Sequence, residues 1–175
     1  GVVGSQAKAD IVTKQLGMDA AINYREAKDL DAAIAGAFPD GVDLYFDNVG
    51  GAVLDAALPR MKAFGRIVVC GMVANYNDQT NQYPIRNLWQ VLVNRITMRG
   101  FLAYEAGDMV HEAEVQLADW VRSGKLVATE NVSTGLESTP AAFIRLMSGD
   151  TTGKTLVRLN EQVTTLSQWG AGDGR

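Results

Sequence analysis

The stretch VDLYFDNVGG, residues 42–51, restricts the possible folds more than any other part of the chain. Its first half is almost continuously apolar. Such a run fits a strand covered on both faces, as in a parallel sheet packed between helices, rather than a strand with one wet face. It then stops on Asp47, Asn48 and two glycines. Two explanations are open. Asp47 and Asn48 cap a following helix, with Gly50 and Gly51 permitting the turn; or the strand delivers Asn48 to a ligand.

The rest of the chain repeats this grammar. Strands are predicted at 19–24 (DAAINY), 42–49, 65–71 (GRIVVCG), 96–104 (ITMRGFLAY) and 153–159 (GKTLVRL). Helices are predicted at 7–17 with Ser5 as cap, at 29–38 closed by Pro39, and at 53–61, 86–94, 108–125 and 138–150. In the helix over 108–125, Met109, Ala113, Leu117, Trp120 and Val121 form an apolar stripe, and Gly124 is placed to end it. Strands alternating with helices imply βαβ units, hence an α/β fold: a Rossmann-like three-layer domain with a mostly parallel sheet. In such sheets ligands bind beyond the carboxyl ends of the strands. DNVGG, CGMVANY and the end of ITMRGFLA all fall at that edge. The segment 72–84 is polar, turn-rich and long for a βα connection, which favours a functional loop.

Composition narrows the class further. The 175 residues suffice for one domain with a sizeable core. A net charge of −4 gives no electrostatic reason to expect nucleic acid or an anionic membrane, and no apolar run is long enough for a membrane helix. A single cysteine, Cys70, permits no internal disulfide, so a cytoplasmic location is expected. With one histidine, His111, the chain is also poorly supplied for a zinc site. His111 reads as a solvated helix residue and Cys70 as a core residue.

At the front, GVVGSQAK has two glycines but lacks the third glycine and the preceding strand of a dinucleotide fingerprint. Lys8 is then a solvated cation or one placed to meet a phosphate. Tyr24 and Arg25 carry the same ambiguity.

Taken together, GVVGSQAK, LGMDAAINYR, PDGVDLYFDNVGG, FGRIVVCGMVANYN and TGKTLVRL, in this order and spacing, resemble the zinc-independent medium-chain dehydrogenase/reductase family. The match is to its prostaglandin reductase and alkenal (enone) double-bond reductase branch. The resemblance covers residues 1–159 and implies a partial NADP(H)-binding Rossmann domain there, with 160–175 as a polar tail. It implies that Lys8 pairs with the adenosine 2′-phosphate, that Tyr24 lies against the same phosphate and ribose, and that Asn48 hydrogen-bonds the cofactor. Cys70, Gly71, Met72, Val73, Ala74, Asn75 and Tyr76 would pass the nicotinamide ribose, with Tyr76 nearest the reacting centre as the candidate catalytic residue. Phe101, Leu102 and Ala103 would border the nicotinamide ring. Thr151 stands where the family usually has an asparagine.

The implied activity is NADPH-dependent reduction of the activated C=C bond of enones or alkenals. The alternatives are a quinone reductase of the same superfamily and a truncated, non-catalytic NADPH-binding or interaction module. The resemblance also implies a homodimer through the edge strand at 96–102. The family's catalytic domain, first strand and glycine-rich phosphate turn have no counterpart in the chain, so the fold is expected to be N-terminally incomplete. A gap is expected in the sheet between DAAINY and VDLYFD, closed by re-pairing, by a partner chain or by further residues of a longer protein.

Overall fold

The structure is a computed structural model and describes residues 1–76, 80 and 82–159. The predicted tail at 160–175, and residues 77–79 and 81 of the predicted loop, lie outside the described residues. The chain divides into two compact units, residues 1–110 and 111–175.

The first unit opens with β1 (Val2–Val3), α1 (Gln6–Lys14), β2 (Ile22–Asn23) and α2 (Leu30–Ala37). Ser5 and Asp29 begin the two helices by accepting hydrogen bonds from the amides of Lys8 and Ala32, as N-caps do. It continues with β3 (Val42–Asp47), α3 (Gly51–Ala57), a 3₁₀ turn at Leu58–Arg60 and β4 (Met61–Val69). A short α4 (Trp89–Val93) and β5 (Thr97–Gly100) follow, and α5 (Asp108–Arg122) starts near the unit's end. β4 begins four residues earlier than the glycine-led run predicts, because Met61 joins the core and a register irregularity absorbs the intervening residues.

Every strand pair among the described residues is parallel, as the βα alternation requires. β3, β4 and β5 form one sheet in that order, and β1 pairs with β2 separately. The core has two clusters. Val42, Leu54, Leu58, Met61, Ile67 and Ile96 make one, and Ile22, Ile34, Ala56 and Ala57 make the other. Tyr45 packs against both. Full burial of a side chain such as Leu58 stabilises by about 1.5–3 kcal/mol, so these few residues carry much of the unit's apolar stabilisation.

The strand predicted to be covered on both faces is not. Leu44 is 61% and Phe46 54% exposed, and Val42 and Asp47 at the two ends are the buried members of β3. The expected gap is present. Among the described residues no strand pairs with β3 on the side away from β4, and a cavity of about 430 Å³ is lined by Gly1 and Val2 and by residues 44–49. No re-pairing closes it among the described residues.

The second unit holds most of α5, then β6 (Glu130–Thr134), α6 (Thr139–Met147) and β7 (Lys154–Arg158), with β6 and β7 paired in parallel. The apolar stripe predicted on α5 is not a buried seam. Met109, Leu117 and Trp120 are exposed and no residue of the helix is buried. β6, ENVST, carries no strand pattern in the sequence. Gly124, with φ of +74°, follows α5 as the pattern predicts.

Candidate functional site at the carboxyl ends of the strands

Asp47 shapes the end of β3. It is 1% exposed, and its Oδ1 accepts hydrogen bonds from the amides of Val49 and Gly50, both at 2.9 Å, and from the Tyr45 hydroxyl at 3.1 Å. The carboxylate therefore folds the turn ahead of α3 and does not cap the helix itself, whose Gly50 cap has no side-chain bond. Asn48 is left at the outside of this turn, lining the 430 Å³ cavity. Asp47 itself lines the same cavity, and its Oδ2 is buried with no hydrogen-bond partner among the described residues. Burial, and then the adjacent Asp47 charge and hydrogen bond, raise the Tyr45 phenol well above its usual range.

The turn also fixes the neighbouring strand end. Asp47 carbonyl accepts from the amides of Cys70 (2.8 Å) and Gly71 (3.1 Å), and the Asn48 and Val49 carbonyls accept from Val73 (3.2 Å) and Ala74 (3.0 Å). Gly71 permits a close approach, since a Cβ there would lie 3.1 Å from the Asn48 carbonyl oxygen. On the far side the Phe101 amide donates to the Val69 carbonyl at 2.9 Å. Asp47, Val69 and Gly100 share one register position across the sheet. Asn48, the strip from Cys70 to Tyr76, and Phe101, Leu102 and Ala103 thus stand together at one edge. Cys70, expected in the core, is half-buried at the strand's exit. Tyr76 is 62% exposed at the end of the strip.

A second corner lies where β1 meets α1. Tyr24 donates its amide to Val3, and a Cβ on Gly4 would come within 3.3 Å of both the Tyr24 hydroxyl and Arg25 Nε. The Arg25 guanidinium sits 5.9 Å from the Tyr24 ring centroid. Lys8 is in the first turn of α1, where no acidic residue offsets the helix's positive end. Two cations, a hydroxyl and a helix N-terminus suit an anion such as a phosphate. Tyr24 and Asn48 line the same cavity, which joins this corner to the strand ends. Thr151 lies in the second unit, where it lines a small pocket with Asn131, Ser133 and Arg145.

The first unit thus carries a cationic corner beside β1 and a strip of main chain along the strand ends. A glycine-rich turn to cradle a pyrophosphate is not found among the described residues. No group of three or more His, Cys, Asp or Glu among them is close enough to hold a metal. Sequence reasoning overlooked Asp55, a second buried carboxylate, although an acid amid Val53, Leu54, Ala56 and Ala57 was a visible signal.

A family model described as zinc-binding dehydrogenase matches residues 1–122. The chain belongs to this family. Within it the chain falls in the zinc-independent medium-chain dehydrogenase/reductase group, in the alkenal and prostaglandin reductase branch. It is 42% identical over 162 residues to the 2-alkenal reductase (NADP(+)-dependent) of Nicotiana tabacum, a match covering 93% of this chain and 47% of that protein. It is 39% identical over 160 residues to prostaglandin reductase 1 of Mus musculus, covering 90% and 48%. The structure of CurA from Vibrio vulnificus in complex with NADPH superposes with a TM-score of 0.83 at 32% identity, over 92% of this chain and 49% of that one. The chain thus spans about half the length of the curated relatives it matches, and the Rossmann-like α/β fold read from the sequence agrees with the solved relative.

Proposed function

We propose that this chain is the cofactor-binding portion of an NADPH-dependent oxidoreductase that reduces the activated C=C bond of enones or alkenals. The observation that carries the reading is the shared register of Asp47, Val69 and Gly100, which brings Asn48, the Cys70–Tyr76 strip and Phe101–Ala103 to one sheet edge. The family relatives named above support it, being reductases of alkenals and prostaglandins or a protein solved with NADPH.

When bound, NADPH supplies the hydride. Lys8, with Arg25 and Tyr24, holds the 2′-phosphate, the charge that distinguishes NADPH from NADH. Asn48 offers an amide side chain at the strand end, and Gly71 lets the main chain approach closely. Phe101, Leu102 and Ala103 give an apolar border to the nicotinamide face. Tyr76, exposed beyond the strip, orients the substrate and donates a hydrogen bond to the oxygen on which enolate charge develops. On this reading, residues 1–159 form a partial NADP(H)-binding domain. The protein is cytoplasmic and forms a homodimer through β5, whose four residues are all exposed. No helix among the described residues is long and apolar enough to cross a membrane.

Titration with NADPH and NADH, followed by nicotinamide fluorescence, tests the proposal. Tighter binding of NADPH is expected, with Lys8→Ala removing the preference while leaving NADH affinity unchanged. Equal binding of both nucleotides, or none in a cooperatively folded chain, refutes it.

A further inference from the structure

Asp55 is a carboxylate buried on an apolar helix. It is 5% exposed on α3, where Val53, Leu54, Ala56 and Ala57 are buried around it. Its Oδ1 accepts from the backbone amides of Arg86 (2.9 Å) and Asn87 (2.7 Å), and its Oδ2 accepts from the Tyr83 hydroxyl at 3.3 Å. The Asp55 carbonyl also accepts from the Asn87 side-chain amide at 3.0 Å. Three donors on one carboxylate satisfy it within the fold, and all of them come from a single segment about thirty residues downstream.

That segment, residues 83–87, is the return limb of the excursion that leaves β4 at Cys70 and carries Tyr76. The outgoing limb rests on the same helix one turn earlier. A Cβ on Gly51 would lie 3.2 Å from the Ala74 Cβ and 3.9 Å from the Tyr83 Cβ. Gly51 and Asp55 are four residues apart and share one face of α3. One helix face therefore seats both limbs, the outgoing one by close packing and the returning one by charge-assisted hydrogen bonds. Ile85 adds an apolar anchor against the core, so losing the carboxylate loosens the limb without detaching it.

We propose that Asp55 is a positioning residue: by fixing residues 83–87 on the face of α3 that also seats Ala74, it sets where Tyr76 stands at the cofactor edge. This rests on the reading of that edge as the nicotinamide side of an NADPH site.

The test compares Asp55→Ala with Asp55→Asn by amide hydrogen exchange and by NADPH titration. Asparagine keeps an acceptor oxygen for the two amides, and alanine keeps none. Alanine is expected to speed exchange at Arg86 and Asn87 by about 10- to 100-fold, with Ile67 and Val68 in β4 unchanged as the folding control. It is also expected to raise the NADPH dissociation constant several-fold, and asparagine is expected to restore most of both effects. Unchanged exchange at Arg86 and Asn87 overturns the proposal outright. Faster exchange with unaltered NADPH affinity, in a chain that binds NADPH, overturns the positioning role and leaves Asp55 a structural anchor. A wild-type chain that binds no NADPH refutes the functional reading, and the positioning role falls with it. Should the alanine variant fail to fold, Asn87→Ala removes one of the four bonds with the carboxylate in place, and the same outcomes are read at smaller amplitude.

Discussion

Replacing Asp47 separates two roles that a buried carboxylate can have, as a charge or as an acceptor of fixed geometry. Alanine removes the acceptor for three donors at once. Gly50 is buried, so its amide is left without a partner, at a cost of about 1–3 kcal/mol. Val49 is 41% exposed, so its amide rehydrates and the loss there is nearer about 1 kcal/mol, with a similar sum for the half-buried Tyr45 hydroxyl. Against this, Asp47 Oδ2 is buried without a partner, and removing that charge recovers part of its desolvation penalty. The balance for Asp47→Ala is a destabilisation of about 2–4 kcal/mol.

Asparagine behaves differently. Its carbonyl oxygen takes the place of Oδ1 and keeps all three donors satisfied with weaker, neutral bonds, while a neutral unpaired amide group replaces the unpaired charge at the Oδ2 position. The two changes oppose each other, so Asp47→Asn is expected within about 1 kcal/mol of wild type. Urea unfolding reads this directly: a midpoint lowered by about 1–2 M for alanine and by well under 1 M for asparagine. Asparagine as damaging as alanine would refute the reasoning, because the charge itself would then be essential. Alanine within about 0.5 kcal/mol of wild type would sink the account of the turn.

Three further predictions follow from the same region. Tyr45 has its pKa raised in the fold by burial first and by Asp47 second, so folding favours the protonated phenol. Its contribution is fully present below the unfolded value of about 10 and is lost as pH rises above it. The thermal midpoint should therefore fall above that pH, and Tyr45→Phe should flatten the decline; parallel curves for the two proteins would contradict it. Gly51, at φ of +59° and tightly packed on Ala74, should cost about 1–2 kcal/mol in backbone strain on change to alanine, plus a steric part. Ala74→Gly should relieve only the steric part in a double-mutant unfolding experiment. In β5 the Phe101 amide points at β4, so by alternation Met98 and Gly100 present their main-chain groups to the free edge. Met98→Pro removes one such donor and should convert a homodimer to a monomer in light scattering; a wild-type monomer at micromolar concentration counts against the dimer.

The sequence was most informative where local chemistry and burial agree. The helical pattern over 29–38 closed by Pro39 announced α2, and the apolar run from Val42 announced β3. Where it misled, the cause is that a pattern reports what a segment suits and not what covers it. Leu44 and Phe46 suit a strand between two layers, yet they stand beside an unpaired edge and a cavity. β6, Glu130–Thr134, has one apolar residue in five, so neither a buried run nor a strong alternation marks it. Its identity as a strand comes from pairing with β7, a contact that no window of sequence displays.

Asp47 and Asp55 make the same point from the opposite side. Both acids lie within apolar surroundings, and a charge there is costly unless donors meet it. Their positions in the sequence therefore predict that donors arrive, without saying from where. For Asp47 the donors are two and three residues away along the chain, plus a hydroxyl two residues before, so the turn was partly legible as capping chemistry. For Asp55 they come from residues 83, 86 and 87, and only the fold brings them. A buried acid in an apolar helix is thus a pointer to a distant segment held in place. Here the held segment borders the loop that carries Tyr76, which is why a residue with no chemical task of its own bears on how the strand ends are used.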